Sequence, residues 1–166
     1  MMGFVFTGIL GTLLHFLFEW TNENVIAAVF SGVNESIWEH TKLLFYPMVL
    51  YALIEYKAWG RNLQSFWCVK LVGILTGLAC IPVIYYTYTG IWGNSADWFN
   101  ITIFYLSAAA VYLLETKLLQ RRGFCPIASW IPQMILAFLA ISYTILTFWP
   151  INIPLFQDPN TGAYGF

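Results

Sequence analysis

Residues 33–42 read Val33-Asn34-Glu35-Ser36-Ile37-Trp38-Glu39-His40-Thr41-Lys42 and run directly into the apolar segment Leu43 to Tyr56. Carboxylates, an imidazole, an ammonium, an amide and hydroxyls are concentrated here, at the start of a segment of membrane-spanning length. A long apolar helix that begins with such a group of polar side chains predicts a polar site at one face of a membrane. The rest of the chain is expected to form an apolar scaffold around it.

The order of polar residues in this stretch predicts how the helix begins. Asn34 is the expected N-cap, and Glu35 in the next turn suits the positive end of the helix dipole. Glu35, Glu39 and Lys42 follow at helical spacing and are expected on one face, with His40 on a neighbouring stripe.

The composition indicates an integral membrane protein. Of the 166 residues, 60% are hydrophobic and 9% are charged, and the mean hydropathy is +0.70. A soluble domain carries about 25% charged residues, so this chain could not cover its surface with polar groups in water. The length predicts one domain, residues 1–166. No basic patch with interleaved aromatic residues points to nucleic acid, so the lipid bilayer is the expected partner.

The apolar runs predict an all-α fold, a polytopic membrane helix bundle with five transmembrane helices and a polar tail. The segment Val25 to Val33 is too short to span and is expected to be re-entrant or interfacial. In the third helix, Gly73 and Gly77 form a small-xxx-small pattern that permits close helix packing. The predicted spans are about 2–20, 35–56, 66–88, 99–114 and 126–149, and the tail is 150–166.

The basic residues predict the orientation in the cell membrane. They cluster in the loops after the second and fourth predicted helices, and such loops usually face the cytoplasm. The amino terminus is therefore expected in the cytoplasm and the carboxy terminus outside, with an acidic outer end. The clustered residues are Lys57, Arg61, Lys117, Arg121 and Arg122.

The cysteines Cys68, Cys80 and Cys125 lie on or beside apolar segments and form no C-x-x-C pair. An odd number without metal-ligand spacing predicts free thiols of small hydrophobic character.

Imidazole and carboxylate side chains at i, i+4 spacing suggest a site for a divalent ion such as zinc, manganese or iron. The candidate metal ligands are His15, Glu19, Glu39 and His40. The same groups could form a proton-binding network, with a neutral glutamic acid hydrogen-bonded to histidine, or be solvated charges at helix ends.

The tail is expected to fold back as a lid over this site. It carries Leu155, Phe156, Tyr164 and Phe166, which a solvated tail would not need, and Asp158-Pro159-Asn160-Thr161-Gly162 should form its turn. Asp158 would then join the cation site or pair with Lys42. The candidate ligand-binding residues are Asn34, Glu35, Glu39, His40, Lys42 and Asp158.

Three blocks resemble those of a family of small prokaryotic integral membrane proteins of unknown function. They are His15-x-x-x-Glu19-Trp20, the stretch Val33 to Leu43, and Asp158-Pro159-x-Thr161-Gly162-x-Tyr164-Gly165. The resemblance implies that the blocks belong together in one kind of protein, and it implies no activity.

Three functions remain open from the sequence. The leading one is an outer-facing polar pocket that binds a cation or small ligand, in transport or sensing. The second is a membrane-embedded metal-dependent hydrolase, with His15, Glu39 and His40 as ligands and Glu19 or Glu35 as general base. The third is a structural or partner-binding subunit, and a homo-oligomer is also open.

Overall fold

The computed structural model describes residues 2–121, 123–125 and 127–166, and these residues form an all-helical fold with no strand. A single antiparallel bridge pairs Gln157 with Tyr164 in the tail. Two short 3-10 helices, Gly60–Asn62 and Pro154–Phe156, lie outside the main helices. The part of the chain that the structure describes contains six α-helices: α1 (Met2–Trp20), α2 (Val25–Phe30), α3 (Ile37–Ala58), α4 (Phe66–Trp92), α5 (Asp97–Leu119) and α6 (Trp130–Phe148).

Four of these helices, α1, α4, α5 and α6, are long and apolar enough to cross a membrane. They correspond to four of the predicted spans, although α5 reaches Leu119 rather than residue 114. The predicted start of the last span, Pro126, lies outside the described residues, and so does Arg122 of the second basic loop.

The start of α3 differs from the prediction. Ser36, not Asn34, is the N-cap, because its Oγ accepts a hydrogen bond from the Glu39 amide at 3.3 Å. Asn34 Oδ1 instead accepts from the Ser36 amide at 2.9 Å, which forms a turn before the helix. Both residue types cap helices well, and the spacing Ser36-x-x-Glu39 favours the later start.

Helix α3 lies at the centre of the bundle, in contact with α1, α4 and α6. Leu44, Phe45 and Ala52 on this helix are fully buried. Because its neighbours shield it, α3 can carry more charged side chains than a lipid-facing helix tolerates. Its 22 residues include Glu39, Lys42, Glu55 and Lys57.

The segment Val25 to Val33, predicted to be re-entrant or interfacial, begins with the short helix α2. Helix α2 ends at Phe30, and its first turn is capped by Asn24, whose Oδ1 accepts from the Ile26 amide at 2.8 Å. It contacts α1, α3 and α6, with Ala28 fully buried.

The prediction of free thiols is wrong for two of the three cysteines. Cys68 and Cys125 form a disulfide, while Cys80 is free and half-buried. Helices α4 and α5 pack side by side, so the chain after α5 returns to the beginning of α4. Sequence spacing cannot show a pairing that depends on this return.

The small-xxx-small pattern of α4 makes close packing. A Cβ at Gly77 would lie 2.7 Å from Leu44 Cδ2 and 2.8 Å from Val111 Cγ2, so α4 approaches both α3 and α5 at this point. A Cβ at Gly73 would lie 2.6 Å from Glu115 Oε1.

We expect Gly77→Ala to destabilise the protein by about 1–3 kcal/mol, because the added methyl overpacks the core. Gly90→Ala is the matched control on the same helix, since nothing lies within 4 Å of its added Cβ. That control should be neutral or stabilise by up to about 1 kcal/mol through helix propensity. Unfolding of both variants in detergent micelles measures the difference, and equal midpoints would contradict the packing role of Gly77.

Candidate functional site

His15, Glu35 and His40 come together where α1 meets the beginning of α3. His40 Nε2 lies 3.4 Å from Glu35 Oε2, and His15 Nε2 lies 4.0 Å from Glu35 Oε1. One ligand atom from each residue lies within 4.8 Å of the other two. We name these three residues the His–Glu–His cluster.

Backbone contacts orient His40 toward this cluster. Its Nδ1 lies 2.9 Å from the carbonyl oxygen of Ser36, which can only accept a hydrogen bond. Nδ1 therefore carries a proton, and Nε2, the other ring nitrogen, faces Glu35. Metal-ligating histidines are typically held in this way, because a hydrogen bond from the ring nitrogen that does not bind the metal fixes the tautomer.

Close packing of α1 on α3 brings His15 to His40. A Cβ at Gly11 would lie 2.7 Å from the Leu43 carbonyl oxygen, so the two backbones nearly touch one turn before His15. The rings of His15 and His40 are consequently 5.5 Å apart.

A cavity of about 70 Å³ adjoins the cluster. Glu35 and His40 form one side of it, and polar side chains of the α4–α5 connection and of α5 form another. Tyr88 and Asn100 stabilise that second side through a 2.5 Å hydrogen bond. The polar residues on that side are Ser95, Asp97 and Asn100.

The tail closes the cavity, as the sequence predicted. Pro159 and Asn160 line it, and Asn34 Nδ2 donates to the Gly165 carbonyl oxygen at 3.0 Å. Phe156 is buried against Trp38, with ring centroids 4.9 Å apart. The tail is therefore attached to the same loop that carries Glu35.

Asp158 organises the tail turn. Its Oδ1 accepts hydrogen bonds from the amides of Asn160, at 2.7 Å, and Thr161, at 3.3 Å. Gly162 has a φ of 74°, so the predicted turn chemistry is confirmed. The carboxylate of Asp158 caps this turn and does not pair with Lys42, whose partners are different residues.

Lys42 and Glu39 form a separate buried network. Lys42 Nζ lies 2.5 Å from Glu39 Oε2 and donates to the Ala28 carbonyl oxygen and to Thr147 Oγ1, each at 2.9 Å. The Thr147 hydroxyl and the Val33 amide donate to Glu39 at 2.9 and 3.1 Å. This network joins α2, α3 and α6, and both charged side chains are almost fully buried.

The four predicted metal ligands therefore do not lie together in the structure. His15 and His40 share the cluster with Glu35, whereas Glu39 points into the bundle and Glu19 is exposed one turn beyond His15. Neighbouring residues on a helix point about 100° apart, so Glu39 and His40 cannot face one site. Glu35 precedes the helix, which explains why it leaves the face shared by Glu39 and Lys42.

The family model DUF6512, described as a family of unknown function, matches residues 1–166. The chain belongs to this family. The resemblance stated from the sequence blocks is confirmed only as membership of a family of unknown function. That the blocks are its signature, and that its members are prokaryotic membrane proteins, stay predictions. Neither a curated protein nor a solved structure matches the chain. The family assignment of this DUF6512 member therefore implies no activity.

Two groups of residues near the cavities are not predicted from the sequence. Asp97 lies between two predicted spans and Asn100 within one, and nothing in the sequence indicates that both line the cavity beside the His–Glu–His cluster. At the other end of α3, Lys70 contacts both Glu55 and Glu115. A charged residue inside an apolar helix, such as Lys70 or Glu115, is a signal that could have found the second group.

Proposed function

We propose that this protein is an integral membrane protein that binds a divalent transition-metal ion through His15, Glu35 and His40. The observation that carries the proposal is the approach of two imidazoles to one carboxylate, with His40 Nε2 and Glu35 Oε2 3.4 Å apart. Ligand atoms about 2.1 Å from a tetrahedral zinc ion lie roughly 3.4 Å apart, so a small movement of His15 completes the set.

The donor chemistry favours zinc or manganese over magnesium or calcium. Imidazole nitrogen suits transition metals, whereas the harder cations prefer sites built only from oxygen. Three protein ligands leave one position open, and the adjoining cavity with Asp97 and Asn160 offers room for water or a small ligand there.

Sensing suits the bundle better than transport. A transporter needs a polar path through the membrane, but the described interior between the cluster and the Lys70 end of α3 is filled mainly by buried apolar side chains. These include Leu44, Phe45, Met48, Ile74, Ala108 and Val111. A tail attached to the Glu35 loop could instead report metal binding by a change in its own position.

Metal binding should stabilise the folded protein. At a zinc concentration 100 times the Kd, the expected gain is about 2.7 kcal/mol, which appears as a higher melting temperature in micelles. Zinc and manganese should raise the melting temperature, whereas magnesium should not. Glu35→Gln or His40→Gln should abolish the increase. Glu19→Gln is the matched control, because Glu19 is exposed outside the cluster. Equal responses in all variants would contradict the proposal, and no response in any protein would favour a partner-binding subunit.

A metal-dependent hydrolase is the second candidate, favoured by Asp97 on the cavity wall. Because Glu35 belongs to the metal set in this geometry, Asp97 would serve as the general base for a metal-bound water. Asp97→Asn should then abolish hydrolysis of ester, phosphoester or amide substrates and preserve stabilisation by zinc. If no substrate is turned over with zinc bound, the enzyme candidate fails.

We further propose that α3 is a fifth span and that α2 lies at the membrane interface. With five spans, the basic loops face the cytoplasm and the tail lies outside. The disulfide between Cys68 and Cys125 lies at the basic end and opposes this orientation, since disulfides are rare in the cytosol.

Single cysteines at Asn62 and Asn160, in a background without the three native cysteines, test the orientation. An impermeant thiol reagent added to intact cells should label the Asn160 position only. Labelling at Asn62 alone would reverse the topology and place the disulfide in an oxidising compartment.

A further inference from the structure

A second cavity, of about 730 Å³, lies at the opposite end of α3 from the His–Glu–His cluster. Glu55 and His40 mark the two ends of α3 and are roughly 22 Å apart along the helix. The cavity is enclosed by residues of α1, α3, α4 and α5. Its volume is within the range of about 300–1,000 Å³ that is common for small-molecule sites.

The charges on its wall do not balance. Lys70 contacts Glu55 and Glu115, the latter at 2.6 Å from Nζ to Oε2, so one ammonium is shared by two carboxylates. The side chains of Lys70 and Glu115 are 3% and 2% exposed. Glu115 Oε1 has no hydrogen-bond partner among the described residues. Two carboxylates therefore face one ammonium on this wall, and one carboxylate oxygen lacks a hydrogen-bond donor.

Aromatic side chains surround these charges. Phe4, Tyr51, Trp59 and Tyr112 line the cavity, and the Tyr112 ring already lies 5.8 Å from Lys70 Nζ. Aromatic faces attract cations, most strongly where water is excluded.

We propose that this cavity binds an organic monocation with an apolar body, such as a quaternary ammonium compound. One positive charge would balance the excess carboxylate, and the aromatic walls would contact the cation and its apolar substituents. An anionic ligand would meet two carboxylates and only one ammonium on the cavity wall itself. A bare metal ion would meet walls that are mostly apolar or aromatic, which offer it few ligands.

The two carboxylates differ in accessibility, so one of them can be substituted without the other. Glu55 is the more accessible, with 16% of its side chain exposed, and Glu55→Gln leaves one ammonium facing one carboxylate. Trp59, which is 41% exposed, can be changed to leucine to remove aromatic surface without touching the charges. Glu35→Gln at the far end is the control that separates this site from the proposed metal site.

The probes are benzyltrimethylammonium and its uncharged carbon isostere neopentylbenzene, measured by equilibrium dialysis with the full-length protein in non-ionic micelles. The ammonium should bind about tenfold tighter than the isostere, and Glu55→Gln and Trp59→Leu should each lower its affinity severalfold. Glu35→Gln should change neither affinity, and zinc should not compete. If Glu55→Gln does not fold, the affinity of Trp59→Leu for the ammonium probe is the deciding measurement.

Equal binding of the two probes would show an apolar cavity without charge selection and overturn the proposal. Absence of ammonium binding to the unaltered protein, or unchanged affinity in Trp59→Leu, would also overturn it.

Discussion

Replacing Lys42 with methionine should destabilise the protein by about 3–5 kcal/mol, because Glu39 would be left as an uncompensated buried charge. Lys42 is fully buried and Glu39 is 2% exposed, and the network they form joins three helices. Such a loss is a large part of the stability of an ordinary domain, about 5–15 kcal/mol. Unfolding by denaturant titration in micelles would measure it.

The double variant Glu39→Gln, Lys42→Met should recover much of this loss, since it removes both charges together. Lys57→Met is the matched control on α3, because Lys57 is exposed and should be replaceable with little change. If the single and double variants were equally unstable, the destabilisation would come from lost packing around Lys42, not from the stranded charge.

Removal of the tail after Pro154 should lower stability and metal affinity together. Truncation deletes Phe156, which is 4% exposed, and the hydrogen bonds from Asn34 to Gly165 and from Phe166 to the Thr147 carbonyl oxygen. It also frees the loop that carries Glu35. A large aromatic side chain lost from a core costs about 3–5 kcal/mol, so the melting temperature should fall by many degrees.

Two point variants separate the loss of buried aromatic packing from the loss of the tail as a cover over the site. Phe156→Ala should cost about 3 kcal/mol, whereas Phe166→Ala should cost less, since Phe166 is 55% exposed. If the truncated protein kept full stability and full zinc affinity, the tail would have no part in the site.

Sequence patterns predicted the elements better than their contacts. Four apolar runs became helices of membrane-spanning length, because length and hydropathy depend on each segment alone. The start of α3 was misplaced by two residues, since Asn34 and Ser36 are both good caps and only the later capping contacts decide.

The candidate site was predicted only in part, because features of a single segment follow from the sequence and contacts between segments do not. Its location at the polar start of α3 follows from the sequence, and so does the tail turn around Gly162. The choice of Glu35 over Glu39 depends on where the helix begins, and Asp97 reaches the cavity only through packing of α5. The pairing of Cys68 with Cys125 likewise depends on contacts far apart in the chain.

The His–Glu–His cluster should bind a transition metal. Equilibrium dialysis of the purified, metal-stripped protein against zinc, followed by elemental analysis, tests this binding. One zinc per chain is expected in the unaltered protein and in Glu19→Gln, and none in the combined variant His15→Gln, His40→Gln. Zinc retained by that double variant at one per chain, or absent from the unaltered protein, would rule out zinc binding by the cluster.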